Sequence, residues 1–152
     1  MRSELSRRAR TGLVVLCAVC TLVGSGCGPK RVPAGGTVEL DGKPLEGGIL
    51  YFNPDTSKGN TARIMGSSPV KNGHFDLRTE GIERSDGGPG IPLGWYKVSV
   101  RVNQAGEPPR FPGPAVVEID PIYLDHEKTP VSIEIVENPA EGAYDIKFKK
   151  KY

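Results

Sequence analysis

Proton transfer near neutral pH would fall to His74 and His126, which lie in different segments of the chain. His74 precedes Phe75 and Leu77 and alternates out of their face, the position of a surface residue. Asp125-His126-Glu127 places three ligand-type side chains in a row. Neighbours on an extended chain point in opposite directions, so these three do not converge on a divalent cation. Carboxylates such as Asp120 and Asp125 are common in this chain, so finding a pair says nothing about glycoside hydrolysis. The patterns Gly-x-Ser-x-Gly, His-Glu-x-x-His and the P-loop are absent. These types and spacings form no catalytic constellation, and the expectation is a non-enzyme without metal or cofactor.

The three cysteines carry a different kind of information. Residues 1–12 are polar and basic, residues 13–23 (LVVLCAVCTLV) are apolar, and Gly24-Ser25-Gly26 are small, which is the layout of a secretory signal peptide. The apolar run is shorter than the roughly 17 to 25 residues that a membrane-spanning helix needs. Ser6-Arg7-Arg8-Ala9-Arg10 is not followed at once by apolar residues, so ordinary Sec export is expected rather than a twin-arginine route. Cys17 and Cys20 lie inside the apolar run, and their Cys-x-x-Cys spacing has no folded setting for redox or zinc chemistry.

Cys27 directly follows the small residues, which let the backbone enter a narrow peptidase cleft, and its thiol can be made into a thioether to diacylglycerol. The stretch resembles the lipobox of bacterial lipoproteins, with Gly24 where the family usually has leucine. The resemblance implies cleavage after Gly26 and a membrane lipid anchor on Cys27, where two or three acyl chains hold firmly. Gly28 is not the aspartate that signals inner-membrane retention in some bacteria, which points to the outer membrane or cell surface. The other reading is a plain secretory signal cut nearby, with Cys27 a spare thiol. On the lipoprotein reading, residues 1–26 are signal peptide, 27–33 anchor and spacer, and 34–152 the folded domain. No cysteine pair is then left to form a disulfide.

The remaining elements read as strands. Without Arg2, Arg7, Arg8, Arg10 and Glu4, the 20 basic and 18 acidic residues fall to 16 and 17, so the mature domain is near neutral. It has no basic stripe to hold a phosphate backbone, and nucleic acid is not an expected partner. Twenty glycines and 14 prolines suit short strands and tight turns. Thr37–Leu40, Ile49–Phe52, Thr61–Gly66, His74–Leu77, Gly94–Val102, Val131–Ile135 and Tyr144–Phe148 read as strands, with turns at Asp41-Gly42 and Asn72-Gly73. In Gly94–Val102, residues Tyr96, Val98, Val100 and Val102 share the core face, and Trp95, Lys97, Ser99 and Arg101 face out. Residues 80–92 and the proline-rich 103–114 read as loops. Strands at this spacing without helices predict an all-β antiparallel β-sandwich of about seven strands.

Gly36–Pro54, Lys71–Leu77 and Pro92–Val100 together resemble the carboxypeptidase regulatory-like domain family, whose fold is a transthyretin-like β-sandwich. The resemblance covers nearly all of the mature chain. It implies a non-catalytic module attached to exported or surface proteins. A hydrolase of 5-hydroxyisourate shares the transthyretin-like fold but ends in Tyr-Arg-Gly-Ser, whereas this chain ends Lys-Lys-Lys-Tyr.

Two aromatic residues, Trp95 and Tyr51, alternate onto the face opposite their core neighbours. Exposed rings there would stack on a sugar or on a protein partner; the plainer expectation is that one covers a sheet edge and the other lies under the proline-rich loop. The leading functional expectation is an anchored structural or protein-binding module of the cell envelope. The alternative is a carbohydrate-binding accessory domain that uses these two rings.

Overall fold

The computed structural model describes residues 30–80, 88–114 and 116–151. The signal segment and Cys27 lie outside the described residues. Among those described there is no α-helix, and no helix is long and apolar enough to cross a membrane.

The longest strand forms where the sequence alternates most regularly. Gly94–Arg101, the tenth strand in chain order (β10), turns Tyr96, Val98 and Val100 inward to full burial. It pairs antiparallel with Ile49–Pro54 (β4), which buries Leu50 and Phe52 in the same layer. Around this pair the ladder runs through Met65–Pro69 (β5), Arg78–Glu80 (β7) and Gly88–Pro89 (β8) on one side and Ser132–Ile135 (β11) on the other. The second sheet centres on Gly35–Leu40 (β2), flanked by Lys43–Pro44 (β3), His74–Asp76 (β6) and Ile146–Phe148 (β12). Arg31–Val32 (β1) and Ile91–Pro92 (β9) make a small third ladder.

The two larger sheets face each other as a sandwich. Phe52 from the six-stranded sheet meets Phe75 from β6, with ring centroids 5.8 Å apart. Val38, Leu40, Ile146 and Phe148 complete the other wall. The 3-10 turn Pro121–Leu124 lays Tyr123 on Phe148, centroids 4.9 Å apart, and so closes one side of the core.

The sandwich was legible in the sequence, but several of its joints differ from expectation. Asn72-Gly73 does form a tight turn, with both φ angles positive and paired Lys71–His74 backbone bonds of 3.0 Å. Its arms, however, join different sheets: β5 pairs with β4 and β7, whereas β6 pairs with β2. The second sheet captures the turn, because Gly73 N–H donates to Leu45 O (2.9 Å) and Gly73 O accepts from Val38 N–H (2.8 Å). The strand expected at Thr61–Gly66 lies instead at Met65–Pro69. There Gly66 leaves room for Ile91, and the buried Ser68 hydroxyl accepts from Asp76 N–H at 3.0 Å. Residues 80–92, read as loop, contribute the two-residue strands β8 and β9, because Ile91 is apolar enough to be fully buried. The pairing of β12 with β2 is parallel rather than antiparallel.

The described residues between 103 and 120 contain no strand, and those up to Pro114 are organised by one side chain. Asn103 is buried, donates to Phe111 O and Pro114 O (both 2.9 Å), and accepts from Arg110 N–H (2.7 Å) and Phe111 N–H (2.8 Å). The same loop rests on Gly47-Gly48. A Cβ on Gly47 would lie 2.2 Å from Pro112 O, and Gly48 N–H donates to that oxygen at 2.7 Å. Asn103→Ala should therefore cost about 1–3 kcal/mol through lost and orphaned hydrogen bonds. The measurements are the urea midpoint and hydrogen exchange, where the Arg110 and Phe111 amides should lose protection ahead of β4 and β10.

Candidate functional site

The two rings singled out from the sequence stand on the outer face of the six-stranded sheet. Tyr51 is paired across from Ser99, four residues beyond Trp95 on β10, so the rings are about 14 Å apart at ordinary strand spacing. Asn53 and Lys97, paired with each other, lie between them. Both rings are half-buried.

Trp95 is held in a built corner. Its carbonyl accepts from Asp55 N–H (2.9 Å) and from the Asn60 amide (2.7 Å). Asp55 and Asn60 are the two ends of one short loop around the 3-10 turn Thr56–Lys58. The Asp55 carboxylate caps that turn by accepting from Ser57 N–H (3.1 Å) and the Ser57 hydroxyl (2.6 Å), and its second oxygen accepts from Ser132 on β11. The turn carries Lys58 back over the sheet, where Nζ sits 3.6 Å from the centroid of the Trp95 ring and donates to the Ser132 hydroxyl at 3.0 Å. One face of the indole is thus occupied by a cation.

Tyr51 occupies a different setting. With Arg101, Glu107, Arg110 and Phe111 it lines a cleft of about 400 Å³ at the foot of the proline-rich loop. Of the two rings, Tyr51 thus lies near the proline-rich loop, while Trp95 stands on β10, the second strand from the sheet edge, with Lys58 over it. The outward face of β10 between them is not uniformly wet, since Ser99 is buried. Lys97 Nζ reaches Glu127 O (2.8 Å) and the Thr129 hydroxyl donates to Val98 O (2.7 Å), so residues 127–129 run beside this stretch.

The histidines stay apart, His74 exposed at the start of β6 and His126 exposed after the 3-10 turn Pro121–Leu124. Beside His126, Asp125 accepts from Glu127 N–H (2.9 Å) and pairs with Lys128 (3.0 Å), and Asp120 caps the turn through Ile122 N–H (3.0 Å). Among the described residues no group of three or more His, Cys, Asp or Glu is placed to hold a metal ion. Asp55, Asn60 and Asn103, which sequence reading passed over, prove to be the organising polar residues. Asp55 and Asn103 carried a faint but physical signal, a short polar residue at the end of a strand or before a Gly- or Pro-rich loop; Asn60 carried only the general turn preference of asparagine.

The Asp55 carboxyl is held below the usual carboxylate range, first by the Ser57 hydroxyl, against the opposing effect of burial. A depressed folded-state value stabilises the fold above the unfolded value of about 4, and this stabilisation is lost as pH falls through the folded value. Asp145, held low by Thr37, and Asp125, held low by Glu127 N–H, act in the same window. Unfolding midpoints should therefore fall on acidification below about pH 4, and Asp55→Asn should flatten but not abolish that dependence. Compared with models of protein families, with curated proteins and with solved structures, the chain matches none.

Proposed function

We propose that this chain is an exported lipoprotein: a non-catalytic β-sandwich module of the carboxypeptidase regulatory-like type, lipid-anchored through Cys27 and presenting its loops to another component of the cell envelope. The observation that carries the non-catalytic reading is the use made of the buried polar side chains. Asp55, Asn60, Asn103 and Thr129 all bond to backbone of loops or strands, which is the work of a scaffold. The anchor reading rests on the small residues before Cys27 and on the short distance from it to the first strand at Arg31. On this reading the protein sits at the outer membrane or cell surface, and the Asn103–Pro114 loop, pinned but solvent-facing, is the part offered to a partner.

The test is intact mass and detergent-phase partitioning of the protein expressed in a bacterium, beside a Cys27→Ser variant. The expected result is a wild type that begins at Cys27, carries a diacylglyceryl mass and enters the detergent phase, and a variant that stays in the aqueous phase. A wild type cut elsewhere and fully aqueous would overturn the anchor.

A second reading, glycan binding, draws on Trp95 and Tyr51 sharing one outer face. Stacking on Trp95 would have to use the ring face that Lys58 leaves free. A glycan array decides it: binding by the wild type that falls at least about tenfold in Trp95→Ala supports stacking, and no binding, or equal binding by the variant, removes it.

A further inference from the structure

Lys30 is three residues beyond Cys27. At no more than about 3.6 Å per residue, its Cα lies within roughly 11 Å of the cysteine Cα. A diacylglyceryl group on Cys27 would hold that cysteine at the level of the lipid headgroups, a layer some 5–7 Å deep on each side of the hydrocarbon. Whatever surrounds Lys30 is then kept within about that reach of the headgroups.

What surrounds Lys30 is an open depression of about 510 Å³ that also takes in Lys58, Pro92, Leu93 and Trp95. The depression is fixed rigidly to the chain leaving the anchor, because Arg31 pairs with Pro92 and Val32 with Ile91. Leu93 is one of the few large apolar side chains left open to solvent, at 41% exposure. Trp95 is half-buried beside it, with the Lys58 ammonium over one face of the ring. An aliphatic side chain, an indole and lysines with apolar stems are the residue types that settle at a membrane–water interface. The patch is close to neutral, since Lys30 pairs with Glu137 and Glu134 stands opposite Trp95 on β11. Attraction to anionic lipid is therefore not required. With the domain already tethered, a weak apolar contact is an intramolecular one and needs little affinity of its own.

We infer that the Leu93–Trp95 rim beside Lys30 is a second membrane contact, laid against the headgroup layer of the lipid that anchors Cys27. This rests on the lipoprotein reading above. The contact fixes orientation: β10 rises from Trp95 at the membrane to Arg101 about 20 Å away, and the proline-rich loop is carried at the far end.

Trp95 is the only tryptophan in the chain and reports on its own surroundings. The experiment places the lipid-bearing protein, its mass verified, in phosphatidylcholine vesicles with or without bromine on the upper acyl carbons. The expected result is a loss of about half the tryptophan emission in brominated vesicles, with most of it restored by Leu93→Asp. Equal emission in both vesicles, with the lipid mass verified, overturns the inference and leaves the anchor standing. If the mass shows no lipid, the anchor reading has failed by itself. The contact is then tested with residues 27–152, which hold every described strand, coupled through the Cys27 thiol to a maleimide lipid. Quenching there supports the contact, and its absence overturns it.

Discussion

Leu50 and Phe52 on β4 and Tyr96, Val98 and Val100 on β10 are fully buried along six consecutive backbone pairs, and every other layer of the domain is placed by reference to that strip. Removing a side chain of this size from water is worth about 1.5–3 kcal/mol each. The strip therefore supplies a large share of the driving force, and it also sets register: a slip of one residue would turn Lys97 inward if β10 moved, or Asn53 if β4 did. The second sheet is defined by what it lays on this surface, chiefly Phe75 against Phe52. The outer face of the same strands inherits its geometry from the same register, which is why Trp95 and Tyr51 stand where they do.

Polar side chains are used in a consistent way. Asp55 and Asn103 sit where a strand gives way to a loop, Asn60 closes the loop that Asp55 opens, and each replaces missing ladder partners with side-chain bonds to backbone. The Tyr144 hydroxyl does the same at the end of β11, bonding both N–H and C=O of Val136 at 3.1 Å. This explains how a chain so rich in glycine and proline presents loops with defined shape. The loops are extensions of the scaffold, and the Trp95 corner and the Tyr51 cleft are two products of that arrangement.

The strands with period-two burial could be read from sequence because each carries its own signal. Tyr96-x-Val98-x-Val100 and Ile133-x-Ile135 need no knowledge of what lies opposite. The same is true of turns, where Asp41-Gly42 and Asn72-Gly73 both adopt the positive φ their residue types allow. What could not be read is which sheet the arms of a turn enter, since Gly73 is held by Val38 and Leu45, residues far upstream. Serines in β5 also hid a strand, because Ser68 is buried through a hydrogen bond and not through hydrophobicity. Of the site, the outward placement of Trp95 and Tyr51 was legible from alternation. The cation over Trp95 was not, because Lys58 arrives from a loop shaped by a side chain on a different strand.

The parallel pairing of β2 with β12 joins Val38 to Ile146 and Leu40 to Phe148, and Asp145 secures it by accepting from Thr37 N–H and its hydroxyl. Among the described strands, the second in chain order thus has one edge closed by the twelfth. Closing a loop of that length comes late in assembly, and topologies built on such distant contacts fold slowly. β3 and β6 pair with β2 over much shorter separations in sequence than β12 does. The alignment of this edge therefore waits on a distant segment: β3 and β6 hold β2 in place, and residues 146–148 dock on a strand whose register is already set, with Asp145 and Thr37 as the latch.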